Sequence, residues 1–365
     1  MKEERVMVNI INCSMKEFMQ RTTGQELIAF GAGRLLESLC EWDGIKQIKY
    51  VIDSDEKKSG TYFNIAGKKI MILGKGKLRE LKRNKDAVII TATLAAASIL
   101  KVLDACEYID GIDCYILPLM IDKDEAQQVF YPKREQKIPK IIHYCWFGKT
   151  EMPSRLKKYM ESWKKFCPDY EIIRWDESNY DVSKNQYMED AYKSRKWGFV
   201  PDYARIDIVY QYGGIYLDTD VEIVKSFDDL LCSASFMGYT DKHDVALGLG
   251  FGAEKGNLLL LDMREYYEGK RFIKPDGGLD LRMCLEYQYP VLEKWGFNLN
   301  GIQEQIGENV IYPREVFNPL GRLGVNTLFT ENTHSIHHAE ISWESDKNRS
   351  AYMQSISKIQ KRIGQ

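Results

Sequence analysis

Short unbroken apolar runs, set off by glycine and by charged turns, mark the first third of the chain. Leu27-Ile28-Ala29-Phe30 leads into Gly31-Ala32-Gly33, and a helical pattern follows from Arg34 to Trp42. Ile48 to Ile52 is a second run, ending at Asp53, and Ala87 to Thr91 is a third. Runs without polar alternation, separated by helical patterns, predict parallel strands buried on both faces. Residues 1–120 are thus expected to form a Rossmann-like α/β domain. The charged stretch 121–137, with Pro132 inside it, breaks the rhythm and is expected as a linker.

The rhythm resumes at Ile138. Lys140 to Tyr144 reads as a strand, and a helix is expected from Ser154, as its cap, to Phe166. Tyr170 to Trp175 is the next strand. Helical stretches follow at Gln186–Lys196 and Pro201–Tyr212, where Pro201 suits a first turn. Ile215 to Leu217 is a short buried strand. Residues 138–348 are therefore a second α/β domain. The tail, 349–365, sets Tyr352, Ile356, Ile359 and Ile363 on one helical face, with Lys358, Lys361 and Arg362 around it. It reads either as a helix docked on the protein or as a basic surface for peripheral contact with an anionic membrane.

Composition narrows the class. A chain of 365 residues with 44% hydrophobic and 28% charged residues has the balance of a globular protein with two cores. A formal net charge of -2 argues against broad nucleic-acid binding, which wants a basic surface. Eight cysteines occur, none in C-x-x-C spacing, so they read as reduced thiols of a cytoplasmic protein. No leader and no membrane-spanning run of about 20 apolar residues is read.

The chemistry concentrates in three places. Asp218 and Asp220 follow Gly213-Gly214 and the strand, two residues apart. On an extended backbone that spacing puts both carboxylates on one face. Hard divalent ions prefer such oxygen ligands and share them with phosphates, whereas an Asp pair in a solvated turn needs no ion. The end of a buried strand favours the metal reading, because α/β sheets place ligands there. On the preceding helix Asp202, Arg205, Val209 and Tyr212 form one stripe. Asp202 can accept from a sugar hydroxyl and Arg205 can offer a fork of donors; the plainer reading is a surface ion pair. Three of the five histidines lie at 334, 337 and 338, with Ser342-Trp343 close behind.

These blocks resemble glycosyltransferase family 32, the sugar-binding-region glycosyltransferases with a DXD motif. Ile138 to Gly148 looks like the family's opening strand. Pro201-Asp202-Tyr203-Ala204-Arg205 and Tyr212 to Asp220 look like its central block, and His337-His338-Ala339-Glu340-Ile341-Ser342-Trp343 resembles its C-terminal element. The D-x-x-R and Y-L-D-x-D arrangement is similar to that of the large clostridial glucosylating toxins. The resemblance implies a GT-A fold, retention at the anomeric carbon, a nucleotide-diphosphate sugar donor (UDP-linked favoured) and Mn²⁺ or Mg²⁺. It implies that Trp146 stacks on the base, that Asp202 and Arg205 hold the sugar, and that Tyr216 and Asp218 touch ribose or sugar. Asp220 would be the direct metal ligand, helped by Asp218 and by His337 or His338. Ser342 and Trp343 would touch the pyrophosphate. The acceptor would be a saccharide or lipid-linked saccharide of bacterial surface or capsular polysaccharide assembly.

Two other readings stand beside it. Gly31 and Gly33 with Asp53 suggest a sugar-nucleotide oxidoreductase or epimerase, although Leu36 replaces the third glycine of the dinucleotide fingerprint. A sugar-nucleotide-binding protein without turnover is the third.

Overall fold

The computed structural model describes residues 7–33, 35–36, 48–65, 67–93, 95–123, 126–240, 244–321, 323–340 and 346–363. The chain forms two compact units. The first comprises Met1–Asp124, Arg322–Thr327 and Asp346–Gln365; the second comprises Glu125–Gly321 and Leu328–Ser345. Both are α/β, as the apolar runs predict.

In the first unit seven strands make one sheet. They are β1 (Asn9–Ile11), β2 (Glu26–Phe30), β3 (Ile48–Ile52), β4 (Tyr62–Ile65), β5 (Lys68–Leu73), β6 (Asp86–Ile90) and β7 (Asp113–Ile116). The spatial order is β1-β7-β6-β2-β3-β5-β4, and only the edge strand β4 runs antiparallel to its neighbour. Every residue of β6 is buried because both faces of the sheet are covered. Ile28, Phe30, Val88 and Ile90 face one core, while Leu27, Ala29, Ala87 and Ile89 face the other. Helices α1 (Met15–Arg21), α2 (Ala96–Asp104) and α3 (Leu117–Asp122) lie in this unit. The helix α1 starts at a capping box, Ser14 with Glu17. The helix α3 occupies the start of the expected linker. The helix expected over Arg34–Trp42 falls largely outside the described residues.

The tail forms a helix, Asp346–Ile363. It buries Ile359 in the core of α2 and Leu323, and Arg362 pairs with Asp104 at 2.6 Å. Ile356 and Ile363 of the same face pack against that core. Among the described residues no helix is long and apolar enough to cross a membrane. All described cysteines are free, and Cys40 lies outside them.

The second unit has β8 (Ile141–Cys145), β9 (Glu171–Trp175), β10 (Gly214–Tyr216), β12 (Ser235–Gly238), β13 (Phe251–Ala253), β14 (Glu304–Ile306) and β15 (Asn309–Tyr312) in one mixed sheet. Its order is β14-β15-β12-β13-β10-β8-β9, with β13 antiparallel to both neighbours. A separate ribbon pairs β11 (Val221–Ile223) with β16 (Ser335–His337). Helices α4 (Ser154–Phe166), α5 (Gln186–Lys193), α6 (Pro201–Tyr212), α7 (Leu258–Tyr266) and α8 (Cys284–Trp295) surround them.

Two expectations about helix ends change. Ser154 does not cap α4: Pro153 stands at the cap position without a side-chain bond, and Ser154 is already helical. The helix α5 stops at Lys193, and Arg195 turns into the left-handed region at φ 54°. By contrast Pro201 does open α6. The Trp163 ring of α4 is wholly buried, and its indole N–H donates to the Val221 carbonyl at 2.8 Å. That bond fixes the β11–β16 ribbon to α4.

Candidate active site

The site forms where β10 leaves the sheet. Gly213 and Gly214 make the turn from α6 into β10, both at positive φ. A Cβ at Gly214 would lie 2.7 Å from the Ile141 carbonyl oxygen, so only glycine lets β10 lie this close to β8. His143 of β8 anchors the turn. Trp175 donates to its Nδ1 at 3.1 Å, so Nε2 carries the proton and donates to the Gly213 carbonyl at 2.8 Å. Burial pushes the His143 imidazole down to about 4 and keeps it neutral.

The strand ends at Tyr216, earlier than expected, and Leu217 is wholly buried behind it. Asp218-Thr219-Asp220 then forms a turn closed by Val221 N–H to the Asp218 carbonyl at 3.1 Å. The two carboxylates therefore converge through a turn and not through extended alternation. The turn leads straight into β11, whose Val221 is paired with His337 of β16. One ligand atom each from Asp218, Asp220 and His337 lies within 4.8 Å of the others.

This donor set fits a small divalent cation. Two carboxylate oxygens and an imidazole nitrogen suit a Mn²⁺- or Mg²⁺-class ion. Of the three charges, that of Asp218 is the disfavoured one. Burial pushes the Asp218 carboxyl up and Asp220 pushes it further, against the pull of Arg205 and His337. Burial pushes Asp220 up as well, but the His337 charge and the N–H of Glu340 outweigh it and bring it to about 2. Burial pushes His337 down, and Asp220 more than reverses this. A cation among the three would relieve the repulsion between the carboxylates.

His338 does not join this group. Neighbouring residues at the end of a strand point to opposite faces, and the His338 Nε2 meets Glu222 at 2.9 Å. His334 is buried elsewhere and sits 3.5 Å from Asp229. Ser342 and Trp343, expected at the pyrophosphate, lie outside the described residues.

Asp202 and Arg205 are no surface ion pair. Their side chains are 6% and 4% exposed and meet at 2.7 Å. A second guanidinium nitrogen reaches Asp218 at 3.5 Å, and the group lies over the Tyr216 ring at 5.2 Å. The Tyr216 hydroxyl donates to Asp218 Oδ1 at 3.0 Å. Arg205 thus links the sugar-binding candidate Asp202 to the metal-binding candidate Asp218. Burial pushes the Asp202 carboxyl up to about 7 in spite of Arg205. Burying such a pair is costly, which favours a role in recognition over one in stability.

Trp146 follows β8, the strand next to β10, and is half-buried. Its indole N–H donates to the Thr150 carbonyl at 2.8 Å. Sequence reasoning missed Gly248. A Cβ there would come 2.4 Å from Asp218 Oδ2, so the bare backbone makes room for that carboxylate. It also missed the backbone N–H of Glu340, which donates to Asp220 Oδ2 at 2.9 Å. Neither has a local signal in the sequence.

In the first unit Gly31, at φ 116°, follows β2, and Ala32 N–H donates to Asp53 Oδ2 at 2.9 Å. Asp55 N–H donates to Asp53 Oδ1 and Lys58 pairs with Oδ2. Both oxygens are engaged in tying the glycine loop to the end of β3. This use of Asp53 competes with binding of a ribose diol.

Residues 153–237 match the family model "Glycosyltransferase sugar-binding region containing DXD motif". The match takes in Asp202, Arg205, Tyr216, Asp218 and Asp220, and it stops short of Trp146 and His337. Inositol phosphoceramide mannosyltransferase 3 of Schizosaccharomyces pombe is 32% identical over 157 residues, 41% of this chain and 42% of that protein. Mannosyl phosphorylinositol ceramide synthase SUR1 of Saccharomyces cerevisiae is 34% identical over 114 residues, 30% of this chain and 29% of that protein. Among solved structures, the PaToxG glycosyltransferase overlaps 44% of this chain and 72% of its own at 17% identity, with a TM-score of 0.33. The chain spans less than half the length of the curated relatives it matches. The resemblance to DXD-motif glycosyltransferases holds, and it rests on the sequence blocks around β10.

Proposed function

We propose that the chain is a retaining glycosyltransferase that moves a sugar from a nucleotide-diphosphate donor to a hydroxyl of a saccharide or lipid-linked saccharide. The observation that carries this is the convergence of Asp218, Asp220 and His337 within 4.8 Å, beside the buried Asp202–Arg205 pair. The three convergent residues would hold a Mn²⁺- or Mg²⁺-class ion. When bound, that ion supplies positive charge where the leaving diphosphate becomes more negative.

The remaining work falls to the chain itself. Asp202 is buried next to a guanidinium and can exchange hydrogen bonds with a sugar hydroxyl in either protonation state. Arg205 bridges Asp202 and Asp218 and would place a positive charge against the donor. Tyr216 holds the Asp218 carboxylate through its hydroxyl. Trp146 offers an aromatic face for a nucleobase. Same-face attack by the acceptor, with its proton passing to the leaving phosphate, comes with the family resemblance.

Two curated relatives carry mannosyl transfer to inositol phosphoceramide in their names. That supports a lipid-borne acceptor and adds GDP-mannose to the UDP-sugars as candidate donors. A cytoplasmic enzyme working on a lipid-linked chain at the membrane surface, in polysaccharide assembly, is consistent with this reading.

Donor hydrolysis tests it. UDP-hexoses and GDP-mannose are each incubated with the protein, with Mn²⁺ and with EDTA. One donor is expected to turn over only with metal, and Asp220→Ala is expected to lose at least about a hundredfold. Equal turnover in EDTA, or by Asp220→Ala, would refute the metal-dependent reading.

A further inference from the structure

Asp220 is held by the backbone that follows β16. Glu340 N–H donates to its Oδ2 at 2.9 Å, and His338 N–H donates to its carbonyl at 3.0 Å. The side chains of the same two residues turn away, onto α4 and β11. The Glu340 carboxylate takes Arg155 Nε at 2.7 Å and the Tyr159 hydroxyl at 3.4 Å. The His338 ring stacks on Tyr159 with centroids 4.1 Å apart and planes at 12°, and its Nε2 meets Glu222 at 2.9 Å. Between them Ala339 sits at φ 47°, in the left-handed region that a residue with a Cβ seldom adopts. A strained turn of this kind persists only when its surroundings hold it. Here the residues on both sides of it are fixed to side chains of α4 and β11.

We infer that Arg155, Tyr159 and Glu222 act as positioning residues for the metal centre. They grip His338 and Glu340 as a clasp, and the clasp presents the Glu340 N–H to Asp220 while β16 turns His337 toward the same place. The clasp thereby sets metal affinity without touching the ion. This rests on the proposed metal site. The doublet of histidines acquires a division of labour: His337 faces the ion position, and His338 is the handle by which α4 and β11 hold the segment. Outer partners that orient metal ligands typically change affinity by about 10- to 100-fold when removed. Arg155 is 41% exposed, so its pair with Glu340 adds little to folding stability and its effect on the metal can be read separately.

The test is a Mn²⁺ titration of the full chain without donor, followed by the electron paramagnetic resonance of free Mn²⁺, with a thermal melt of each variant. Arg155→Met and Glu340→Gln are each expected to weaken Mn²⁺ about tenfold at nearly unchanged Tm. The double variant should be no weaker than the worse single one, because both act through one contact. Arg155→Lys should recover part of the loss, and Tyr159→Phe, which keeps the stack, should weaken Mn²⁺ less than either. Wild-type affinity in Arg155→Met and Glu340→Gln, or losses that multiply in the double variant, would overturn the clasp alone. A wild-type chain that takes up no Mn²⁺, or Asp220→Asn binding as well as wild type, would overturn the metal reading and the clasp with it.

Discussion

Asp202 puts a titrating carboxyl inside the core, and its proton couples stability to pH. Its folded value, about 7, lies above the ordinary 3.8. The folded chain therefore holds a proton that the unfolded chain has released between about pH 4 and 7, and stability falls as pH rises through that window. Asp202→Asn removes the titration. Urea midpoints at pH 5 and 7.5 should fall for wild type and stay level for the variant, once shared changes are subtracted; parallel curves would disprove the assignment. Asp220 works in the opposite sense. Its folded value of about 2 gives stability that is present above the ordinary value and lost as pH falls through 2. The helical spacing made the Asp202–Arg205 pair legible in the sequence. Its burial was not legible, because an i,i+3 pair looks the same on a wet face and in a core. Burial is the fact that separates a recognition element from a surface ion pair.

Elements place these side chains through close backbone approaches that tolerate no Cβ. The turn Leu247–Leu249 passes so near the D-x-D turn that Gly248 faces the Asp218 carboxylate. Gly248→Ala should leave the chain folded and displace that carboxylate, lowering Mn²⁺ affinity and donor hydrolysis by about tenfold or more; unchanged hydrolysis would show that the turn yields. Trp163→Ala addresses a different role. Loss of a buried indole should cost about 3–5 kcal/mol in denaturant unfolding and loosen the ribbon that carries His337. The strand β10 itself was legible, since Gly213-Gly214 followed by Ile215 and Leu217 marks a turn into a core. The spacing of Asp218 and Asp220 suggests convergence through extended alternation. A turn produces it instead, and a motif of two carboxylates with one residue between them fits both geometries.

At the scale of the whole molecule, the tail helix belongs to the first unit although it follows the second in sequence. Ile359→Ala should therefore destabilise the first unit by about 2–5 kcal/mol. Calorimetry and limited proteolysis can check this, and donor hydrolysis well below the transition should stay at the wild-type level; proteolysis centred on the second unit would contradict it. The amphipathic repeat Ile356, Ile359, Ile363 foretold a helix with one apolar face but not the surface that covers it. The same division runs through the protein. The sequence by itself determined the strands β2, β3, β6, β8, β9 and β10 and the helices α4, α5, α6 and the tail, because unbroken apolar runs and helical periodicity are local properties. It also determined the residue types of the site, because D-x-D after a buried strand is a local pattern. Only the tertiary structure decided which residues meet. The pairing of Val221 with His337 brings a histidine from far along the chain to Asp220 and leaves His338 to Glu222. Strand register between distant segments leaves no trace in local spacing, and a shift of one residue exchanges the two histidines.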